Sequence, residues 1–370
     1  MSTSLWKYFC IVIYFVFLLS SPAYATNTLK MLIWEGYAPP EQVEKFQTYI
    51  KQKYGKAITL EISHKVSDVC DFFDALRERK FHIISPAHNV IKDERFGLIR
   101  NKLIAPINLD NIPNYKTIIP ALQKADYITD DEGNVYGVPI LQGPYGLAYN
   151  TKYIKTPPQS WNILWDNKFT NRYAISADYY ECNFYITALA MGLTEVDLYD
   201  FDTLKTNTIF MNKLRHLAQN AKSLWKGVDT ADDLEGLALA TTWGFCLDDL
   251  EKRGESWKMA EPQEGMTGYV DNFLMSYELV NNPFLKTVAE EWMNYILGSE
   301  YQINVVVRQL GSAPVNTELS RYLSKEEIEK HHLDEPNYFA EKRWLWPIFK
   351  TRRERNVLKY AWSLAIRREP

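Results

Sequence analysis

Cysteine and histidine are scarce: four Cys and six His in 370 residues. No pair of cysteines has CxxC or CxH spacing, so no metal site is expected. Gly (16) and Pro (17) are too few for a collagen or a linker array. GxSxG, HExxH and the phosphate-binding P-loop are all missing, and with them the common hydrolase and nucleotide-binding signatures. SxxK occurs at Ser4–Lys7 and Ser223–Lys226, without the SDN and KTG elements that a β-lactamase-type site needs. Neither sign of charge dominates, with 42 Lys+Arg against 46 Asp+Glu and a net charge of -4. A nucleic-acid binder would carry a basic excess, so no nucleic-acid partner is expected. No segment after residue 25 is apolar enough to cross a membrane.

Aromatic residues are abundant, at 14% of the chain, with 24 Tyr, 17 Phe and 11 Trp. That exceeds what core packing needs and suggests stacking surfaces. Residues 1–25 read as an export signal: Lys7 is the only charge, Tyr8 to Leu19 is almost wholly apolar, and Ala23-Tyr24-Ala25 fits the small-x-small cleavage pattern. Cleavage there removes Lys7 and leaves a net charge of -5. Export implies an oxidising compartment, where Cys70, Cys182 and Cys246 allow one disulfide at most. From Glu341 onward nine Lys/Arg stand against three Asp/Glu, so the rest of the mature chain is near -11. An acidic body suits a cationic partner.

Length suggests two domains. Strands are predicted at 29–34, 58–62 and 81–85, alternating with helices at 41–54 and 71–79, the order of a parallel sheet with covering helices. Asp130–Asn134 reads as a turn, because its acids miss calcium-loop spacing. Two strands are predicted at 135–140 and 146–149, and a short helix at 161–165 with Trp161 and Trp165 on the core. A helix over 184–192, strands ending at Trp243 and spanning 269–280, and a helix over 283–297 follow. His64, His82 and His216 read as structural, and His331-His332 as surface.

Several aromatic residues stand beside carboxylates at strand ends. Trp34 and Tyr37 bracket Glu35. Asp178 and Glu181 are three apart at a helix start, which places them on one face. Trp243 ends a strand, and Tyr269 and Asp271 share one strand face. Ligands of open α/β sheets sit at such strand ends. Aromatic faces attract cations and carboxylates bind ammonium groups. The set suits an elongated amine with apolar methylenes.

At these residues the chain resembles the periplasmic polyamine-binding proteins, the spermidine/putrescine-type solute receptors of ABC importers. Leu32 to Pro40 is similar to the family's opening strand and Trp-x-x-Tyr pocket motif. Tyr136-Gly137-Val138-Pro139 with Gly143 to Asn150 resembles its first crossing between lobes. Ser160 to Trp165, Trp243, Tyr269-Val270-Asp271 and Ser312 to Asn316 resemble later family elements. The resemblance implies a two-lobed α/β periplasmic binding protein fold, with hinge strands and a central cleft. Lobe one would be 26–141 plus 271–316, and lobe two 142–270 plus 317–370. Trp34 and Tyr37 would clamp the ligand, Trp243 would stack on it, and Asp271 would bind an ammonium. Tyr269 stands where the family usually has Trp, and Asp178 and Glu181 keep its acid-x-x-acid spacing. His88 and Asn89 replace the family's Ser and Tyr; a neutral His88 accepts a hydrogen bond, whereas a charged one repels a cation. Glu35 and Tyr145 are further candidates for the lining.

The implied function is capture of a polyamine-like cation in the periplasm for delivery to a membrane permease, by a monomer without cofactor or catalytic residue. The alternative is a sensor subunit for a membrane signalling protein, with the Trp-rich basic tail (Trp344, Trp346, Lys350, Arg352, Arg353, Arg355, Trp362) as a docking arm or as an amphipathic helix packed on lobe two. A secreted enzyme on the same lobes is the third reading.

Overall fold

The computed structural model describes residues 27–66, 69–193, 200–335 and 351–367, with Tyr338, 343–345 and Phe349 between the last two. The export segment 1–25, and Trp346 and Lys350 of the tail, lie outside the described residues.

The first half opens with β1 (Thr28–Leu32) and α1 (Pro40–Tyr54). Proline at the first position of α1 gives up an N–H that has no intrahelical partner there. Gly55 ends the helix at φ 67°, donating to Lys51 O, a left-handed turn that favours glycine. Phe46 and Ile50, one turn apart, face the core. Next come β2 (Thr59–Ser63), α2 (Val69–Arg77), β3 (Ile83–Ile84) and the single turn α3 (His88–Ile91). β1 pairs in parallel with β2 on one side and β3 on the other, as the alternation of strands and helices predicts.

β4 (Gly137–Asn150) is one strand of 14 residues, where two were predicted. Gly143 is what makes the middle passable: a Cβ there would lie 2.7 Å from the hydroxyl of Tyr269, the residue opposite it. A shift in register between Pro139 and Leu141 absorbs the irregularity. The second half holds β5 (Tyr173–Ser176), α4 (Tyr180–Leu189), α5 (Thr208–Asn220), β6 (Ser223–Trp225), β7 (Leu239–Thr242) and β8 (Trp257–Ala260). β9 (Met266–Met275) is buried at every position. α6 (Pro283–Ile296), β10 (Ala313–Pro314), β11 (Arg343–Leu345) and α7 (Arg352–Ala365) complete the described chain.

The strands form one mixed sheet in the order β2-β1-β3-β9-β4-β7-β5-β6. Among the described strands β4 and β9 connect its two parallel ends, and they pair antiparallel along most of their length. The expected breaks at 141/142 and 270/271 fall on facing residues: Leu141 is opposite Asp271 and Gln142 is opposite Val270.

Residues just after 316 stay with the first half. Thr317 N–H donates to Thr117 O, and Arg308 pairs with Glu327 at 2.8 Å. The chain reaches the second half at His332, which contacts Glu261 at 2.9 Å. The histidine pair is therefore not surface as expected: His331 is buried and His332 half-buried, its ring stacked 3.6 Å from that of Tyr338. The tail folds as a packed amphipathic helix, with Leu358, Ala361, Trp362 and Ala365 buried. The turn at 130–134 is as predicted, with Asp130 Oδ1 accepting from the N–H groups of Glu132 and Asn134. Trp161 is fully buried, and Trp165 donates to Lys213 O. No disulfide joins Cys70, Cys182 and Cys246; the last two are buried. Among the described residues no helix is long and apolar enough to cross a membrane.

Phe46 packs edge-on against Trp292 of α6 at 5.0 Å and is fully buried. Phe46→Ala leaves a cavity between two helices and should cost about 3–5 kcal/mol. A urea midpoint shifted to match, with unchanged m value, checks this.

Candidate functional site

The strand ends converge. Trp34 and Tyr37 follow β1, His88 follows β3, Asp178 and Glu181 follow β5, and Trp243 follows β7. β1 and β3 run parallel, as do β5 and β7, so each pair delivers its loops to one edge of its half. β9 supplies Tyr269 and Asp271, whose side chains share a face because strand side chains alternate.

Asp271 is the centre of the acidic part. It is 6% exposed and accepts a 2.5 Å hydrogen bond from the Tyr37 hydroxyl. Tyr37 is itself held by the Tyr301 hydroxyl, which donates to its carbonyl at 2.5 Å. Burial raises the Asp271 carboxyl to about 7, against the smaller opposing effect of the Tyr37 hydrogen bond. The turn after β3 is stitched to the same stretch of β9: Ala87 bridges Asp271, and Asn272 N–H donates to Pro86 O. His88 is buried, and its Nδ1 accepts from Val270 N–H at 3.4 Å.

The aromatic part is built around Trp243. Its ring meets Tyr179 at 5.0 Å, Tyr145 at 5.1 Å, Tyr269 at 5.3 Å and Trp225 at 6.2 Å, all edge-on. Asp229 fixes the backbone at Trp243. Its carboxylate accepts from Trp243 N–H at 2.9 Å, from the Thr242 hydroxyl at 2.5 Å and from the Cys246 thiol at 3.0 Å. Trp243 Nε1 also donates to Gly227 O. Burial raises the Asp229 carboxyl, against the opposing effect of these hydrogen bonds, and raises the Cys246 thiol well above its ordinary range.

Glu181 lies in the first turn of α4, buried, with its carboxyl raised to about 7 by loss of water. Asp178, Glu181 and Asp271 all act electrostatically on the hydroxyl of Tyr179, so that tyrosine lies within reach of both buried acids.

Tyr37, Asp271, Tyr269 and Trp243 are thus joined through contacts along β9, His88 reaches the same stretch of that strand, and Glu181 acts on Tyr179 beside Trp243. Five other candidates behave differently. Asp178 does not share a face with Glu181: it precedes the helix, is exposed, and spends both oxygens on the Ser176 hydroxyl and Gly227 N–H. Tyr145 is fully buried behind Trp243, its hydroxyl shared among Asn183, Thr241 and Ser176 N–H, so it supports the indole. The Trp34 ring lies edge-on against Phe72 of α2 at 5.4 Å, and Glu35 is exposed. Asn89 is half-buried in α3. Tyr179 and Asp229 were not foreseen. Tyr179 sits inside the Asp178–Glu181 spacing and was open to notice; Asp229 is 13 or more residues from each partner and carries no local signal. Among the described residues no group of three or more His, Cys, Asp or Glu is placed to hold a metal ion.

Residues 81–336 match the family of bacterial extracellular solute-binding proteins. The chain belongs to that family. It is 23% identical over 309 residues to the spermidine/putrescine-binding periplasmic protein 1 of Haemophilus influenzae, covering 83% of this chain and 80% of that protein. Among solved structures, the spermidine/putrescine ABC transporter substrate-binding protein of Streptococcus pneumoniae superposes with TM-score 0.72 at 16% identity, over 92% of this chain and 100% of that one. A GABA receptor superposes with TM-score 0.68 at 16% identity, over 93% and 99%. The two-lobed fold is thus shared with structures named for different small molecules.

A carboxyl whose folded value exceeds its unfolded value keeps a proton that the unfolded chain has lost. Stability from Asp271 is therefore present below about 4 and falls as pH rises toward about 7. In thermal melts of the ligand-free protein, Asp271→Asn should gain stability relative to wild type between pH 5 and pH 8. Parallel curves would contradict the burial described.

Proposed function

We propose that this solute-binding protein captures an elongated organic cation of the polyamine class between two lobes, in the periplasm after export, and hands it to a membrane permease. One observation carries the reading. Asp271 is buried, raised to about 7 and, among the described residues, makes no ion pair with a lysine or arginine; Glu181 is also buried and raised to about 7, with Arg95 and Arg355 acting on it from beyond ion-pair distance. A buried carboxylate without a counter-ion is costly unless a cation arrives. The rings of Trp243, Tyr179 and Tyr269 pack against one another within reach of these acids and would offer aromatic surface to methylenes and ammonium groups.

Lobe one is proposed as residues 26–141 and 271 to about 330, and lobe two as 142–270 and the remaining tail. This moves the last crossing later than 316, following the contacts of Thr317, Arg308 and His332. The ligand would bridge the halves and draw the population toward the closed form. The relatives in Haemophilus and Streptococcus are named for spermidine and putrescine, which fits an acidic, ring-lined crevice. The tail is better used as packing than as a docking arm, since its apolar side is buried, and this favours delivery over signalling through the tail.

Micromolar affinity needs about 8 kcal/mol. Two carboxylate contacts at about 1.5–3 kcal/mol each, with several ring faces at about 0.5–2, are of that order before desolvation. Calorimetry and tryptophan fluorescence with spermidine, norspermidine and putrescine should give saturable binding. Asp271→Asn and Glu181→Gln should each weaken it by at least about tenfold, because each removes one charge partner. Affinity should also drop as pH falls below about 7, where these carboxyls take up protons. Heat and fluorescence unchanged by millimolar amine would overturn the reading.

A further inference from the structure

One charged contact joins the first half of the chain to its last helix directly. Asp93 follows α3 and belongs to the first half: its loop carries Phe96, which packs on Phe73 of α2 at 5.3 Å, and the chain returns to the sheet where Ala105 N–H donates to Met275 O. Arg355 lies in α7, which is fastened to the second half. Trp362 Nε1 donates to Ala177 O at 2.9 Å, and Gln219 Nε2 of α5 donates to Arg367 O at 2.6 Å. Across the sequence gap of 262 residues, Arg355 Nη2 donates to Asp93 Oδ1 at 2.9 Å and Oδ2 at 2.8 Å. The two side chains are 11% and 4% exposed.

We propose that the Arg355–Asp93 pair is a clasp between the lobes, made on closure and broken on opening, which sets how tightly ligand is held. The inference rests on the two-lobe reading. Two features suit a reversible contact. Asp93 also accepts from Arg95 Nε and Nη2 at 2.9–3.2 Å, so opening does not strand its charge. Arg355, on opening, regains water at the rim of its helix. The clasp adjoins the crevice: Asp93, Arg95, Arg355 and Glu181 all act on the hydroxyl of Tyr180, which borders them. A contact present only in the closed form raises the binding-competent fraction and so lowers the apparent dissociation constant. It also slows release, because the lobes must part before ligand leaves.

Stopped-flow release of spermidine from the full mature chain tests this. Arg355→Gln should speed release about tenfold and change association little, and Asp93→Asn should do the same. The double variant should release no faster than either single one, since both break the same contact. Small-angle scattering of the ligand-free protein should give a larger mean radius of gyration for Arg355→Gln than for wild type. That arm needs no ligand, so an amine titration that fails leaves it readable. If Arg355→Gln does not fold, Asp93→Asn, which keeps a polar partner for Arg95, carries both measurements. Unchanged release, additive effects in the double variant, or identical radii would each overturn the clasp.

Discussion

The site depends on a carboxylate deprived of water. Asp271 sits on a strand buried at every position, and its one described side-chain partner is the neutral hydroxyl of Tyr37. Such a group holds its proton until about neutral pH, and its charge is stable only beside a cation. The sheet order places it there. β9 is one of the two strands that join the parallel ends, so a residue at its middle cannot avoid the region between them. The acid is thus a consequence of topology as well as of chemistry.

Around it, rigidity is arranged from outside the crevice. Trp243 touches four rings at right-angled or steeply tilted orientations, which suit the ring quadrupoles and leave little freedom to rotate. Asp229 holds its backbone, Gly227 holds its indole nitrogen, and Tyr145 closes the rear. Tyr301 performs the same service for Tyr37. A ligand meeting surfaces already held in place loses less entropy in ordering them.

The fold was largely legible from local pattern. The strands and helices of the first half fall close to their expected positions, because apolar alternation, Pro39-Pro40 and Gly55 act over a few residues. The long β4 was misread as two strands, since Gly143 and Pro144 resemble a break until Tyr269 is seen folded over the glycine. Asp178 and Glu181 were paired by spacing, yet the helix begins between them, and one residue turns outward to Gly227 while the other turns in. Trp34 shared its motif with Tyr37, but Phe72 draws its ring aside.

From the chain alone came the α/β class, the family resemblance and the kinds of side chain at the strand ends, because these are written in neighbours and short spacings. Tertiary structure alone decided which acids lose their water and which rings pack together around Trp243. Those outcomes hang on contacts such as Tyr37 to Asp271, 234 residues apart, and desolvation is a property of everything that surrounds a group, not of the residues beside it in sequence.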